Sequence, residues 1–163
     1  MRLTEFNQLS VEQAQAALTH CVAITRWQQA VTAARPYASP QALYQQARLL
    51  AEQWDRHDFM QALTAHPRIG ERASGEGKEA ALSRQEQAAV GEEAELQQAL
   101  RHANGEYEQR FGHLFLIRAR GRSGEEILSE LRRRLSNTPA EETEEALAQL
   151  REITLLRLEE SIA

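Results

Sequence analysis

Asp58-Phe59-Met60-Gln61-Ala62-Leu63-Thr64-Ala65-His66-Pro67-Arg68-Ile69-Gly70 is the stretch whose reading decides the fold. Its first half reads as helix. Asp58 is a capping residue, Phe59 and Leu63 lie four apart on one face, and Met60 sits beside them. The pattern runs as far as His66 and stops. Pro67 disfavours helical backbone for the residue before it, and Gly70 frees the chain shortly after. A titratable side chain therefore stands at a break between helices. Such loops, held on rigid elements, are where chemistry concentrates.

The same alternation of helix and break extends towards the N-terminus. Ser39-Pro40 pairs a capping residue with proline at the first helical position. Leu43, Ala47, Leu50 and Trp54 follow as an apolar stripe. Upstream, Trp27 and Val31 mark a short helix over 24–34, ended by Arg35-Pro36. The first helix is expected to start at Ser10, which has capping-box spacing to Gln13 with Leu9 placed as a staple. Ala14, Ala17, Leu18 and Cys21 then share one face. Cys21 reads as a small buried hydrophobe.

Towards the C-terminus, residues 71–82 are polar and contain two glycines, which predicts a surface loop. Gly75 and Gly77 lack the preceding strand and the Gly-Lys-Ser/Thr ending of a phosphate loop. Ser83 and Glu86 have capping-box spacing and open a further helix. After Gly91 a long helix runs to about Arg110, with Leu96, Leu100 and Tyr107 inward, and Phe111-Gly112 ends it. Leu114-Phe115-Leu116-Ile117 is a compact apolar run between Gly112 and Gly121, a short buried extended segment or one tight turn. Ser123 and Glu126 open a helix with Ile127, Leu128, Leu131 and Leu135 inward. Thr138-Pro139 starts the last helix, striped by Leu147, Leu150, Leu155 and Leu158. Glu141, Glu142, Glu144 and Glu145 sit where the helix dipole favours acids, and read as a solvated helix start. Arg118, Arg120 and Arg122 read as solvent-facing. Arg132, Arg133 and Arg134 point three ways round a helix and make a poor anion clamp.

The expectation is an all-α fold: a compact single-domain helical bundle of about seven to nine helices over 1–163, with a short extended segment near 114–118. Composition agrees. Of 163 residues, 42% are hydrophobic and 26% charged, enough for one real core. A net charge of −5 gives no electrostatic case for nucleic acid. One cysteine excludes an internal disulfide and fits a reducing compartment. No apolar run is long enough for a membrane span, the first residues lack a signal-peptide core, and the last are not a Ser-Lys-Leu address. A cytoplasmic protein is expected.

For chemistry, His66 leads. Histidine gives or takes a proton near neutrality without a metal. A histidine that merely caps a helix C-terminus fits the spacing too. Ser83, Glu86 and Gln87 form a second candidate. A helix N-terminus offers free N–H groups to a carboxylate or polar heterocycle, although Ser-x-x-Glu is equally a plain capping box. His20, His57, His66, His102 and His113 show no metal-ligand spacing, and a Gly-x-Ser-x-Gly elbow is absent.

His-Pro-Arg-Ile-Gly at 66–70, Ser-x-x-Glu-Gln at 83–87, and Asn104-x-x-Tyr107-x-x-x-Phe111-Gly112 with its apolar run resemble the family of 2-oxo-4-hydroxy-4-carboxy-5-ureidoimidazoline (OHCU) decarboxylases. The likeness extends to Phe6-Asn7, Ala34-Arg35-Pro36-Tyr37, Asn137-Thr138 and Leu156-Arg157-Leu158. Each motif is weak alone; in order, in a chain of this length, they are specific together.

The resemblance implies an all-α, dimeric, cofactor-independent carboxy-lyase of urate degradation that converts OHCU to (S)-allantoin. Its partners would be a small ureidoimidazoline and a second copy of the chain. His66 would be the acid–base group, and Glu86 the carboxylate that orients substrate or histidine. Ser83 and Gln87 would bind the ureido or ring carbonyls, with Arg84 and Gln85 in the same segment. Pro67 would shape the wall. The main chain of His113, Leu114, Phe115, Leu116 and Ile117 would pair with the substrate's amides, and Arg157 would reach the site. No metal is implied. The family commonly has Phe-Gly-Phe where this chain has Phe111-Gly112-His113, which makes the local wall more polar. A non-catalytic helical interaction module and a ureide-binding protein without turnover are the alternatives.

Overall fold

The computed structural model of the protein describes residues 1–66 and 94–163. Eight helices lie among them: α1 Leu3–Gln8, α2 Val11–Leu18, α3 Thr25–Ala33, α4 Pro40–Ala51, α5 Arg56–Leu63, α6 Ala94–Phe111, α7 Gly124–Arg134 and α8 Pro139–Ser161. The described residues contain no strand, so the fold is all-α as expected. The chain divides into two units, one of Met1–Thr64 with Arg151–Ala163, the other of Ala65–Leu150. The expected 71–82 loop and the helix start at Ser83 lie outside the described residues.

In the first unit most of the local signals hold. Ser10 and Gln13 form a full capping box, and Ser39 accepts from the Ala42 N–H ahead of Pro40. α2 is not the first helix, however. α1 precedes it, a short helix whose N-cap, Arg2, makes no side-chain cap bond and so left no capping signal. Burial of Leu3 and Phe6 holds it in place. The stripe on α4 is narrower than expected: Leu43 and Ala47 are buried, Leu50 only partly, and Trp54 is buried beyond the helix end. α5 is capped by Asp55, not Asp58. Asp58 is the third helical residue, and the two aspartates exchange hydrogen bonds as a box. Met60 faces solvent.

Two distant motifs meet in this unit. Arg35, before a cis peptide to Pro36, donates to the Phe6 and Leu9 carbonyls at 2.8 Å each. The Asn7 side chain exchanges two hydrogen bonds with the Tyr37 main chain, at 3.0 and 2.9 Å. Phe6-Asn7 and Arg35-Pro36-Tyr37 are thus one assembly. Burial pushes the Tyr37 hydroxyl up to about 12, and it donates to the Val31 carbonyl at 2.6 Å.

Among the described residues of the second unit, an apolar core is made by Leu96, Leu100, Ala103, Tyr107 and Phe111 of α6, Ile127 and Leu131 of α7, and Phe115, Ile117 and Ala119 between them. Leu128 and Leu135 pack against it from its edge. Gly112, with φ +75°, turns the chain out of α6 where an L side chain would be strained. Ser123 and Glu126 form the expected capping box.

One expectation about charge fails here. The acidic start of α8 is not uniformly solvated: Glu142 is fully buried, and half-buried Glu145 binds Arg133. Arg118, Arg120 and Arg122 point outward as expected, Arg120 exposed and the other two half-buried beside buried Ile117 and Ala119. Arg118 donates to the Arg120 carbonyl at 2.7 Å, and Arg122 donates to that of Arg118 at 2.9 Å, bracing the turn.

Candidate functional site

His66 follows α5 by three residues, past the C-cap Thr64. Its ring is partly buried, and its Nε2 is shielded from solvent. A sheltered imidazole at a helix break suits proton transfer, because water does not compete for the ring nitrogen. Pro67, Ser83, Arg84, Gln85, Glu86 and Gln87 lie outside the described residues.

The 113–117 strip is well defined. It leaves α6 at Gly112 and carries Phe115, Leu116 and Ile117 into the interior, with Leu114 half-exposed. His113 takes an aromatic role. Its ring stacks on Phe111 at 6.2 Å between centroids and meets Tyr107 edge-on at 5.5 Å. Its Nδ1 lies 3.0 Å from the Leu114 carbonyl oxygen, which can only accept, so this contact places a proton on Nδ1. Histidine thus fills the aromatic position between Phe111 and Leu114 while adding a polar edge.

Side chains of α7 and α8 hold this strip from behind. Arg134 donates to the Leu116 carbonyl at 2.8 Å, and its guanidinium lies over the Phe115 ring at 4.4 Å. The same arginine donates through Nε, at 2.8 Å, and Nη2 to Glu142. Glu142 also accepts from the Tyr107 hydroxyl and, at 3.1 Å, from the Asn137 amide. Burial, then the bond to Glu142, drives the Tyr107 hydroxyl far above its ordinary range. Gln149 accepts from the Arg118 N–H at 2.9 Å.

Sequence reasoning missed Arg134, Glu142 and Gln149. A signal existed for the charged pair. Arg134 continues the Ile127–Leu131 stripe at helical spacing, and Glu142 leads the buried row through Ala146 and Leu150 at steps of four. A charge on an apolar stripe is a buried charge, and buried charges are paired.

Arg157 lies in the first unit. It is almost fully buried and donates to the His20 carbonyl at 3.3 Å. His20 is buried beside Cys21, whose Sγ lies 3.7 Å from its Nε2. Cys21 is thus buried as expected, with a polar neighbour.

Among the described residues, no group of three or more His, Cys, Asp or Glu side chains is placed to hold a metal ion. No helix among them is long and apolar enough to cross a membrane.

These features define an all-helical protein with a sheltered histidine at a helix break and a braced main-chain strip. A family model for OHCU decarboxylase matches residues 7–159. The chain belongs to the OHCU decarboxylase family. It is 30% identical over 142 residues to the uric acid degradation bifunctional protein TTL of Arabidopsis thaliana, covering 85% of this chain and 44% of that protein. Over 100 residues it is 37% identical to the 2-oxo-4-hydroxy-4-carboxy-5-ureidoimidazoline decarboxylase of Amia calva, covering 60% of this chain and 57% of that protein. The chain spans about half the length, or less, of these curated relatives. Among solved structures, it resembles an OHCU decarboxylase crystallised in the presence of (S)-allantoin. That match has a TM-score of 0.73 and 29% identity over 86% of this chain and 92% of the other.

Proposed function

We propose that this protein decarboxylates OHCU to (S)-allantoin in urate degradation, without a cofactor. The observation that carries the reading is the family match over residues 7–159, which spans both structural units. We read those units as one domain of this family. The likeness to an OHCU decarboxylase structure over nearly its whole length supports the reading.

The chemistry needs little from the protein. The bond from the ring carbon to its carboxylate breaks, CO2 leaves, and the electron pair moves into the adjacent imine-like C=N. The ring nitrogen takes up a proton and an enol is left; its hydroxyl then gives up a proton to become the ring carbonyl as a proton is delivered to the neighbouring, ureido-bearing carbon. The enzyme must hold the ring, turn the carboxylate out of the ring plane and supply the proton from one face, which fixes the product's handedness. His66 is the assigned acid–base group, and its sheltered Nε2 suits the task. Glu86 orients the substrate or the histidine. Pro67, Ser83, Arg84, Gln85 and Gln87 complete the binding segment, and Arg157 contributes a cation. The main chain of 113–117 faces the substrate's amides. The protein is assigned as a cytoplasmic homodimer.

The test supplies freshly generated OHCU and follows allantoin by circular dichroism. Wild type is expected to form optically active allantoin faster than the substrate decays. His66→Ala should lose at least about 10²-fold in rate while its helical spectrum stays unchanged. Full activity in that variant would remove His66 from the mechanism. Binding of (S)-allantoin without turnover by wild type would make the protein a ureide binder instead.

A further inference from the structure

The 113–117 strip owes its orientation to two side chains that touch it from behind. Leu116 gives its carbonyl to Arg134, and Arg118 gives its N–H to Gln149. Among the described residues the only cis peptide is Arg35-Pro36, so both peptide bonds of Ile117 are trans and planar. In a trans peptide the C=O and the N–H point in opposite directions. The Leu116 C=O aimed at the Arg134 guanidinium therefore turns the Ile117 N–H away from it. The Arg118 N–H aimed at Gln149 turns the Ile117 C=O away from that amide. One residue is left with a donor and an acceptor, each fixed by a hydrogen bond on the far side of its own peptide plane.

Ile117 is buried, yet among the described residues neither its N–H nor its C=O has a hydrogen-bond partner. Buried main-chain groups are nearly always paired, so an aimed but unmatched donor and acceptor on one residue suit a ligand. An amide or ureido group, which carries N–H beside C=O, is the complementary shape.

We propose that Arg134 and Gln149 are positioning residues, which set the directions of the Ile117 N–H and C=O so that this pair meets an amide or ureido group of the substrate. The inference rests on the reading above that the 113–117 strip faces the substrate. Arg134 performs this task because it is itself locked. Glu142 binds its Nε and Nη2, leaving Nη1 for Leu116. A lysine cannot hold both, since it lacks the rigid fork.

Gln149→Leu is the decisive variant, because it removes the acceptor while the buried ion pair stays intact. Misaligning a contact made equally in ground and transition states raises KM and leaves kcat alone. The expected result is KM raised about tenfold, the order of one lost hydrogen bond, with kcat within about twofold of wild type. Gln149→Glu, which keeps an acceptor for the Arg118 N–H, should restore KM. Arg134→Lys should raise KM in the same way. In ligand-free protein the 1H–15N resonance of Arg118, which shares a peptide plane with the Ile117 C=O, should move in Gln149→Leu and return in Gln149→Glu. An unmoved resonance refutes the clamp. A moved resonance with unchanged KM in an active enzyme refutes its role at the substrate, and so does a fall in kcat at constant KM. Wild type that fails to turn over OHCU refutes the underlying reading, and this inference with it.

Discussion

Each unit holds an arginine on a carboxylate, and the two pairs live in opposite environments. In the first unit Arg26 grips Asp58 through Nε at 3.0 Å and through Nη2. The aspartate side chain is 4% exposed, but that of the arginine is 54% exposed. In the second, Arg134 and Glu142 are 2% and 0% exposed. The chemistry is the same; the access of water is not. Water can replace either partner of the first pair, and Asp58 keeps its bonds to Asp55 whatever Arg26 does. Inside the second pair each polar atom depends on a protein partner. The first is therefore a reinforced helix start, and the second is a strut on which the Leu116 carbonyl hangs.

Breaking the strut should produce the largest effect. Glu142→Ala leaves a buried guanidinium uncompensated and takes an acceptor from the Tyr107 hydroxyl, at an expected cost of about 3–5 kcal/mol. Urea denaturation should show it as a large fall in midpoint. The double variant Arg134→Met with Glu142→Leu replaces the pair by apolar volume and should recover most of that loss. It should not recover the Leu116 contact, so stability and substrate affinity separate. A single variant costing less than about 1 kcal/mol would mean that water reaches the pair.

What was legible in the sequence follows the range of the interactions. The boxes at Ser10 and Ser123 and the Ser39-Pro40 start are made by residues three apart, and all three formed. Asp55 and Asp58 carry the same spacing, but both are capping residues, so the choice between them depends on where the chain turns. α1 carries no side-chain cap at all and exists through tertiary burial. Glu142 looked like one more acid at a helix start because its partner, Arg134, is brought to it by the turn at 135–138. For the site, local chemistry marked His66 and the bounds of the 113–117 strip. Their joint meaning came from the ordered family motifs. The clamp by Arg134 and Gln149 joins elements that no short spacing connects, and only the fold exposes it.

The half-exposed pair is best broken with acid. Burial pushes the Asp58 carboxyl up, but the bonds from Arg26 and Asp55 outweigh it and leave the group below its usual range. A carboxyl depressed in the folded state adds stability at pH values above its unfolded value, about 4. That contribution fades as pH falls through the lower folded value, because the unfolded chain takes up the proton first. Stability should therefore be flat near neutrality and drop below about pH 4. Asp58→Asn should flatten that drop while keeping an acceptor for the Asp55 N–H. Urea midpoints at pH 7 and pH 3 measure both, and an equally steep drop in the variant would move the acid response to other carboxylates.

A third arginine, Arg133, completes the series at its weak end. It donates to Glu130 at 2.7 Å and to Glu145 at 2.6 Å, with its own side chain 53% exposed. It neighbours Arg134 in sequence, yet points to the wet side of α7. Its hydrogen bonds, with that to Glu145 first, raise its pKa and lower that of Glu145. Because solvent screens both partners, Arg133→Ala should cost no more than about 0.5 kcal/mol, and high salt should erase the difference from wild type. The measurement is a pair of urea curves at low and high ionic strength. A loss above about 2 kcal/mol that survives salt would place Arg133 with Arg134 as a structural strut and undo the distinction by water access.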